Sequence, residues 1–172
     1  MRLLLILRTA ICLEVGLSIT FSQSHGALVG LAALTSFGVG YAMVSVFVAL
    51  LQRKKLSAYD TLPLTAAALG VGLLAAQAPT ADGLTWFRYL VAGWGIFSGL
   101  FEVILAKRAG FKTLRGRESL VSALLAGVIG ILFLVANLKA VDQVGFFGAY
   151  MMVCAVHLGI SAASDRSAKQ QS

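Results

Sequence analysis

Six apolar runs of about twenty residues each, separated by short polar breaks, restrict what this chain can fold into. A run of that length crosses the hydrocarbon of a bilayer as a helix. Hydrocarbon offers the backbone no partners, so each run must pair its own N–H and C=O groups. A membrane strand would alternate apolar and polar residues over ~10 positions, and these runs do not alternate. Charged residues make up 12% of the chain, against about 25% in soluble domains. The sequence therefore predicts an all-α, polytopic membrane helix bundle with six transmembrane helices in a single integral membrane domain.

The spans are read at 3–21, 27–51, 58–78, 84–106, 119–138 and 143–163, followed by a polar tail at 164–172. Met1-Arg2 and the leucines after it look like the start of a signal peptide. Arg8 and Glu14 interrupt that apolar core and no small-residue cleavage site follows, so the reading is a retained first helix. Asp60 or Thr61 can cap the third helix, and Pro63 is tolerated in a first helical turn, where its missing donor would be unpaired anyway.

Direction follows from the basic residues. Arg2, Arg53, Lys54, Lys55, Lys107, Arg108, Lys112, Arg115, Arg117, Arg166 and Lys169 all fall on one side. The turns of the other side hold only Lys139, with Arg88 just inside a span. This asymmetry predicts that both termini are cytoplasmic. The formal charge of +7 sits in short loops between apolar runs. Its expected partner is therefore the bilayer and its anionic head groups, contacted by Lys107, Arg108, Lys112, Arg115 and Arg117, and not nucleic acid.

The chain also repeats. Gly16, Gly72 and Gly130 take matching places in the first, third and fifth spans. Gly38 to Gly40 and Gly93 to Gly95 match in the second and fourth, and each is followed by a basic pair. Three hairpin repeats inserted in the same sense follow from this, with a period of about 55 to 58 residues. Small residues spaced four apart let helix backbones approach closely, which matters where water supplies no drive between helices. Gly95, Gly99, Gly130 and Gly159 are the expected packing positions. Packing within the bundle and self-association both fit them.

Charges inside spans are expensive and are the candidates for function: Arg8, Glu14, Arg88, Glu102 and the titratable His157. Arg8 lies roughly 8 Å, and Glu102 roughly 6 Å, from the same boundary, so the two could pair. Glu14 is near mid-membrane, roughly 17 Å in, and Arg88 lies roughly 6 Å from the opposite boundary. Arg88 is expected to reach toward Glu14 or to snorkel outward. Arg8 and Glu14 are six apart, about 240° around the helix, and do not face each other. One reading is a polar or proton-titrating pathway built on Glu14, Glu102 and His157, since a carboxylate in hydrocarbon tends to hold its proton. The other is structural pairing that fixes which hairpins adjoin.

Cys12 and Cys154 lie inside apolar runs and read as small packing residues. No clustered histidines or carboxylates suggest a metal. The phosphate-loop, zinc-protease and nucleophile-elbow motifs are all absent from the sequence. The expectation is a protein without cofactor that is not an enzyme.

The run GWGIFSGLFEVILAKR, from Gly93 to Arg108, resembles the glycine-rich helix ending in an acidic residue and a basic pair in HdeD-like proteins, the short-repeat membrane family. The six spans, the three hairpins and Arg8 early in the first helix share that resemblance. The chain departs from the pattern in Glu14, and in having an outer-turn proline, Pro79, only in the second hairpin. The resemblance implies a bacterial inner-membrane protein associated with acid resistance or envelope stress, in a family with no assigned catalytic residues. The alternatives are an accessory or scaffold subunit of a larger membrane complex, and a transporter of a small solute or protons. Self-association is a further expectation.

Overall fold

The structure, a computed structural model, describes residues 2–52 and 58–170, with backbone alone at 58–59 and 165–170. Arg53, Lys54 and Lys55 lie outside the described residues, as do the side chains of Arg166 and Lys169. The described residues form six helices and their connecting turns: α1 (Arg2–Thr20), α2 (Ala27–Leu51), α3 (Ala58–Ala76), α4 (Gly83–Ala109), α5 (Leu114–Val135) and α6 (Ala140–Gln170). Five are long and apolar enough to cross a membrane; in α3 the apolar stretch is the shorter Asp60–Ala76. The chain is a multi-pass membrane protein.

The helices overrun the apolar runs where polar residues can continue them. Lys107 and Arg108 form the last turn of α4, and Arg115, Gly116 and Arg117 lie in the first turn of α5. The connection expected as a basic loop is therefore a short turn, Gly110 to Thr113. Gly110 ends α4 at φ 87°, a conformation that favours glycine. The Thr113 hydroxyl accepts from the Gly116 amide at 3.0 Å and caps α5. A methyl on Gly116 would run into the Gly110 carbonyl, which keeps this turn tight. At the other terminus α6 runs to Gln170, so the expected tail continues the helix. Because α3 begins at Ala58, Pro63 lies within it and not in its first turn.

The most extensive helix contacts join α4 to α5, α1 to α6 and α2 to α3. Glycine makes two of these crossings close. A methyl on Gly95 would stand 2.6 Å from the Ala126 oxygen and 2.7 Å from the Gly130 Cα. One on Gly38 would meet the Ala68 oxygen, and the Gly72 Cα at 2.7 Å. At the third crossing Gly16 lies under Met152, whose sulfur would be 2.7 Å from a methyl there. Gly99 packs on Ala123 and Gly127, whereas Gly159 makes only an ordinary contact with Thr9 at 3.6 Å. Gly93 faces open space.

The phenylalanine cluster of the core lies in the half of the bundle away from the α4–α5 turn. Phe87 packs edge to face on Phe133 and Phe147, with centroids 5.9 and 5.5 Å apart. Gly30 leaves room for Phe87, whose ring would lie 3.1 Å from a methyl on that glycine. Leu34, Val91 and Val144 are fully buried beside these rings. Toward the middle, Phe37 continues the stack onto Trp94 at 5.2 Å and Tyr41 at 5.8 Å.

Candidate functional site

The inward stripes of α2, α4 and α6 change character along their length. On α4 it runs Phe87, Val91, Trp94, Ser98, then Glu102. On α2 it runs Leu34, Phe37, Tyr41, then Ser45. On α6 it runs Phe147, Met151, Ala155, then Ser161, with His157 beside it. On α2 and α4 three to four residues separate successive positions, so these are single helix faces. Each carries a polar position toward the end that holds the α4–α5 turn, before buried Val48 on α2 and Ala106 on α4 return it to apolar packing.

That end is hollow. A cavity of about 490 Å³ opens there between the helices, lined by Arg8, Asp60, Glu102, Arg115, Glu118, Ser119, Ser122, His157 and Ser161 among others. A smaller pocket of about 70 Å³ lies deeper. It shares Arg8, Glu102, Ser122 and His157 with the cavity and reaches Cys12, Tyr41, Trp94 and Tyr150. Together they form a vestibule with an aromatic floor.

Arg8 sits at that floor. Its Nη2 donates to Ser45 Oγ at 3.1 Å, and its guanidinium carbon lies 4.1 Å from the centre of the Tyr41 ring. The ring face is electron-rich and attracts the cation. Arg8 Nε is buried without a partner, whereas Trp94 has the Tyr150 hydroxyl as its polar neighbour. Glu102 faces Ser119, with Arg8 and Arg115 as the cations that act on it. Among the described residues Glu102 makes no ion pair within 4.0 Å; the two ion pairs of that length both belong to Asp60. The expected Arg8–Glu102 contact is thus shared occupancy of one cavity and not a direct pair. His157 Nε2 lies 3.1 Å from Ser122 Oγ and 3.2 Å from the Glu118 carbonyl oxygen. A carbonyl can only accept, so that second contact requires the proton on Nε2.

The remaining candidates are elsewhere. Glu14 is on the exposed outer face of α1, in the stripe Ala10, Leu13, Glu14, Leu17, Ser18. It does not line the vestibule. Arg88 does not meet Glu14. Its Nε donates to the Phe133 carbonyl at 2.7 Å and its Nη2 to the Leu134 carbonyl at 2.8 Å. These are carbonyls of the last turn of α5, which have no partner within the helix. Arg108 and Arg115 reach Asp60 at 3.3 and 3.9 Å, tying the start of α3 to the α4–α5 turn. Lys107, Lys112 and Arg117 are exposed.

Asp60, Tyr41, Ser45, Ser119, Ser122 and Trp94 belong to the site but were not singled out for it by the sequence. The signal for Tyr41, Ser45 and Trp94 was their place on the inward stripe, which becomes visible only once the buried face of each helix is known. Among the described residues no group of three or more His, Cys, Asp or Glu is placed to share a metal ion. Comparison with protein-family models, with curated proteins and with solved structures gave no match to this chain.

Proposed function

We propose that the chain is an HdeD-like bacterial inner-membrane protein, with six spans in three hairpin repeats and both termini cytoplasmic. In this reading it catalyses no reaction and contributes to acid or envelope-stress tolerance through the vestibule. The observation that carries the reading is the polar vestibule at the end of the bundle that holds the α4–α5 turn: Asp60, Glu102, Glu118 and His157 line it, and the aromatic cluster packs beyond it. Solvent on the open side would reach these polar groups inside the bundle.

The repeat reading is supported by the crossings, since Gly38 on Gly72, Gly95 on Gly130 and Gly16 on Met152 each join the end of one hairpin to the start of another. The third span, which brings the count to six, is supported by the 17 residues from Asp60 to Ala76, at about the lower limit for crossing hydrocarbon. The orientation is supported by Lys107, Arg108, Lys112, Arg115 and Arg117 clustering at the vestibule end. The test is survival of acid shock in a deletion strain complemented with the wild-type chain, with Glu102→Gln or with His157→Phe. Wild type is expected to restore survival, and the variants to fail at equal abundance in the membrane. A deletion strain that survives as well as its parent would remove the stress reading.

Glu14 favours a second reading, as an accessory or scaffold subunit. A carboxylate exposed to hydrocarbon near mid-depth is costly, and a partner helix over the Ala10–Glu14–Ser18 stripe would shield it. Purification in mild detergent should then give a stoichiometric partner or a homo-oligomer that Glu14→Leu releases. A transporter of a small solute or protons would in addition need the aromatic half to open.

A further inference from the structure

Arg8 and Glu102 present opposite charges to one cavity without touching. Each is incompletely answered by the protein. Arg8 has a serine and a ring face as neighbours but no carboxylate within ion-pair distance, and its Nε is unpartnered. Glu102 has Ser119 but no cation within 4.0 Å. Buried donors and charges left in this condition are unfavourable unless something else completes them. The cavity volume of about 490 Å³ falls in the range of small-molecule sites, roughly 300–1,000 Å³.

A simple anion would find Arg8 but also face Glu102, Glu118 and Asp60. A simple cation would find Glu102 but also face Arg8 and Arg115. A molecule carrying both charges answers both sides. We infer that the vestibule floor binds a small amino-acid-like zwitterion. Its carboxylate lies toward Arg8 and its ammonium toward Glu102. Its apolar body rests against the ring-lined floor formed by Phe37, Tyr41 and Trp94. The planar guanidinium fork suits a carboxylate, and the rings suit a short apolar chain. No bond is made or broken.

The inference uses the vestibule on which the proposed function rests. Binding to purified protein and acid survival of cells are separate readouts, so either can fail alone. The experiment is calorimetric titration of the full chain in nanodiscs with alanine, leucine, β-alanine and γ-aminobutyrate, and with propionate and propylamine as single-charge probes. At least one zwitterion is expected to bind about tenfold or more tighter than either single-charge probe. Arg8→Met and Glu102→Gln should each weaken that binding by about tenfold or more, while Glu14→Gln, outside the vestibule, should leave it unchanged. The wild-type selectivity needs no variant, so a misfolded variant does not leave the question open. Propionate binding as tightly as the zwitterions, propylamine doing so, or no binding of any probe to the folded protein would each overturn the inference.

Discussion

At one end of the bundle Phe87 meets Phe133 and Phe147 edge to face, and Val91 and Val144 are fully buried. At the other, the same helices carry Glu102, Ser119, Ser122 and His157 around a cavity of about 490 Å³. The two arginines inside the spans follow the same division. Arg88 is used up on the end of α5, donating to two backbone carbonyls. Arg8 keeps donors toward a cavity and has only Ser45 and the Tyr41 ring to hold it. Two side chains of one type thus do different work because one meets an orphaned helix end and the other meets a polar space. The closed end is packed with rings, and the open end holds a polar cavity.

The comparison breaks first if the closed end is not the stable one. Phe87→Ala removes the ring that two other phenylalanines pack on and should cost about 3–5 kcal/mol. Unfolding by sodium dodecyl sulfate in mixed micelles would read it. The loss is of packing contacts, since lipid provides little hydrophobic drive between helices. Arg88→Met should follow at about 1.5–3 kcal/mol, because the Phe133 and Leu134 carbonyls lose their charged donor. The same assay applied to Glu102→Gln should give a smaller change than either, as its carboxylate makes no ion pair within 4.0 Å.

The crossings allow a sharper test within one helix. Gly95→Ala puts a methyl 2.6 Å from the Ala126 oxygen and should cost about 1–3 kcal/mol as α4 and α5 are pushed apart. Gly93→Ala, two residues away and facing open space, should leave the unfolding curve in place. Equal effects at the two positions would remove the close crossing from the account. The smallest effect is expected at the rim. Arg108 is 59% and Asp60 27% exposed at the side chain, so Asp60→Asn should change stability by no more than about 1 kcal/mol. Raising salt should reduce the difference further.

Much of the bundle was legible from hydropathy, because a run of about twenty apolar residues permits little but a helix across hydrocarbon. The ends were less legible. Lys107, Arg115 and Arg117 read as loop by polarity, yet a helix emerging into water continues until something stops it, here Gly110 on one side and Thr113 on the other. Depth counting put Arg8 and Glu102 at one level, and both line one cavity. It could not give their separation, which depends on how each helix is rotated about its axis. The offset of about 240° between Arg8 and Glu14 separated them correctly: one lines the vestibule and the other lies on the outer face. The partners of Arg88 were invisible, because any helix end offers carbonyls and sequence does not say which one is near. Ser45 was invisible for the opposite reason, as a serine in a charge-free span carries no mark of the arginine it meets.

Thiol accessibility tests the one-ended vestibule most directly. In a chain with Cys12 and Cys154 changed to alanine, single cysteines would be placed at Lys112, Ser122 and Val144. They would then be exposed to a membrane-impermeant thiol reagent from each side in turn. Lys112→Cys, in the exposed turn after α4, marks the open side. Ser122, about 12 Å along α5 from Leu114, lines both the cavity and the deeper pocket. Ser122→Cys is predicted to react from the same side as Lys112→Cys and from that side alone. Val144→Cys, in the fully buried closed end, is predicted to react from neither. An unreactive Ser122→Cys, or one labelled from the opposite side, or a Val144→Cys labelled from either side, would contradict a bundle that is open at one end and sealed at the other.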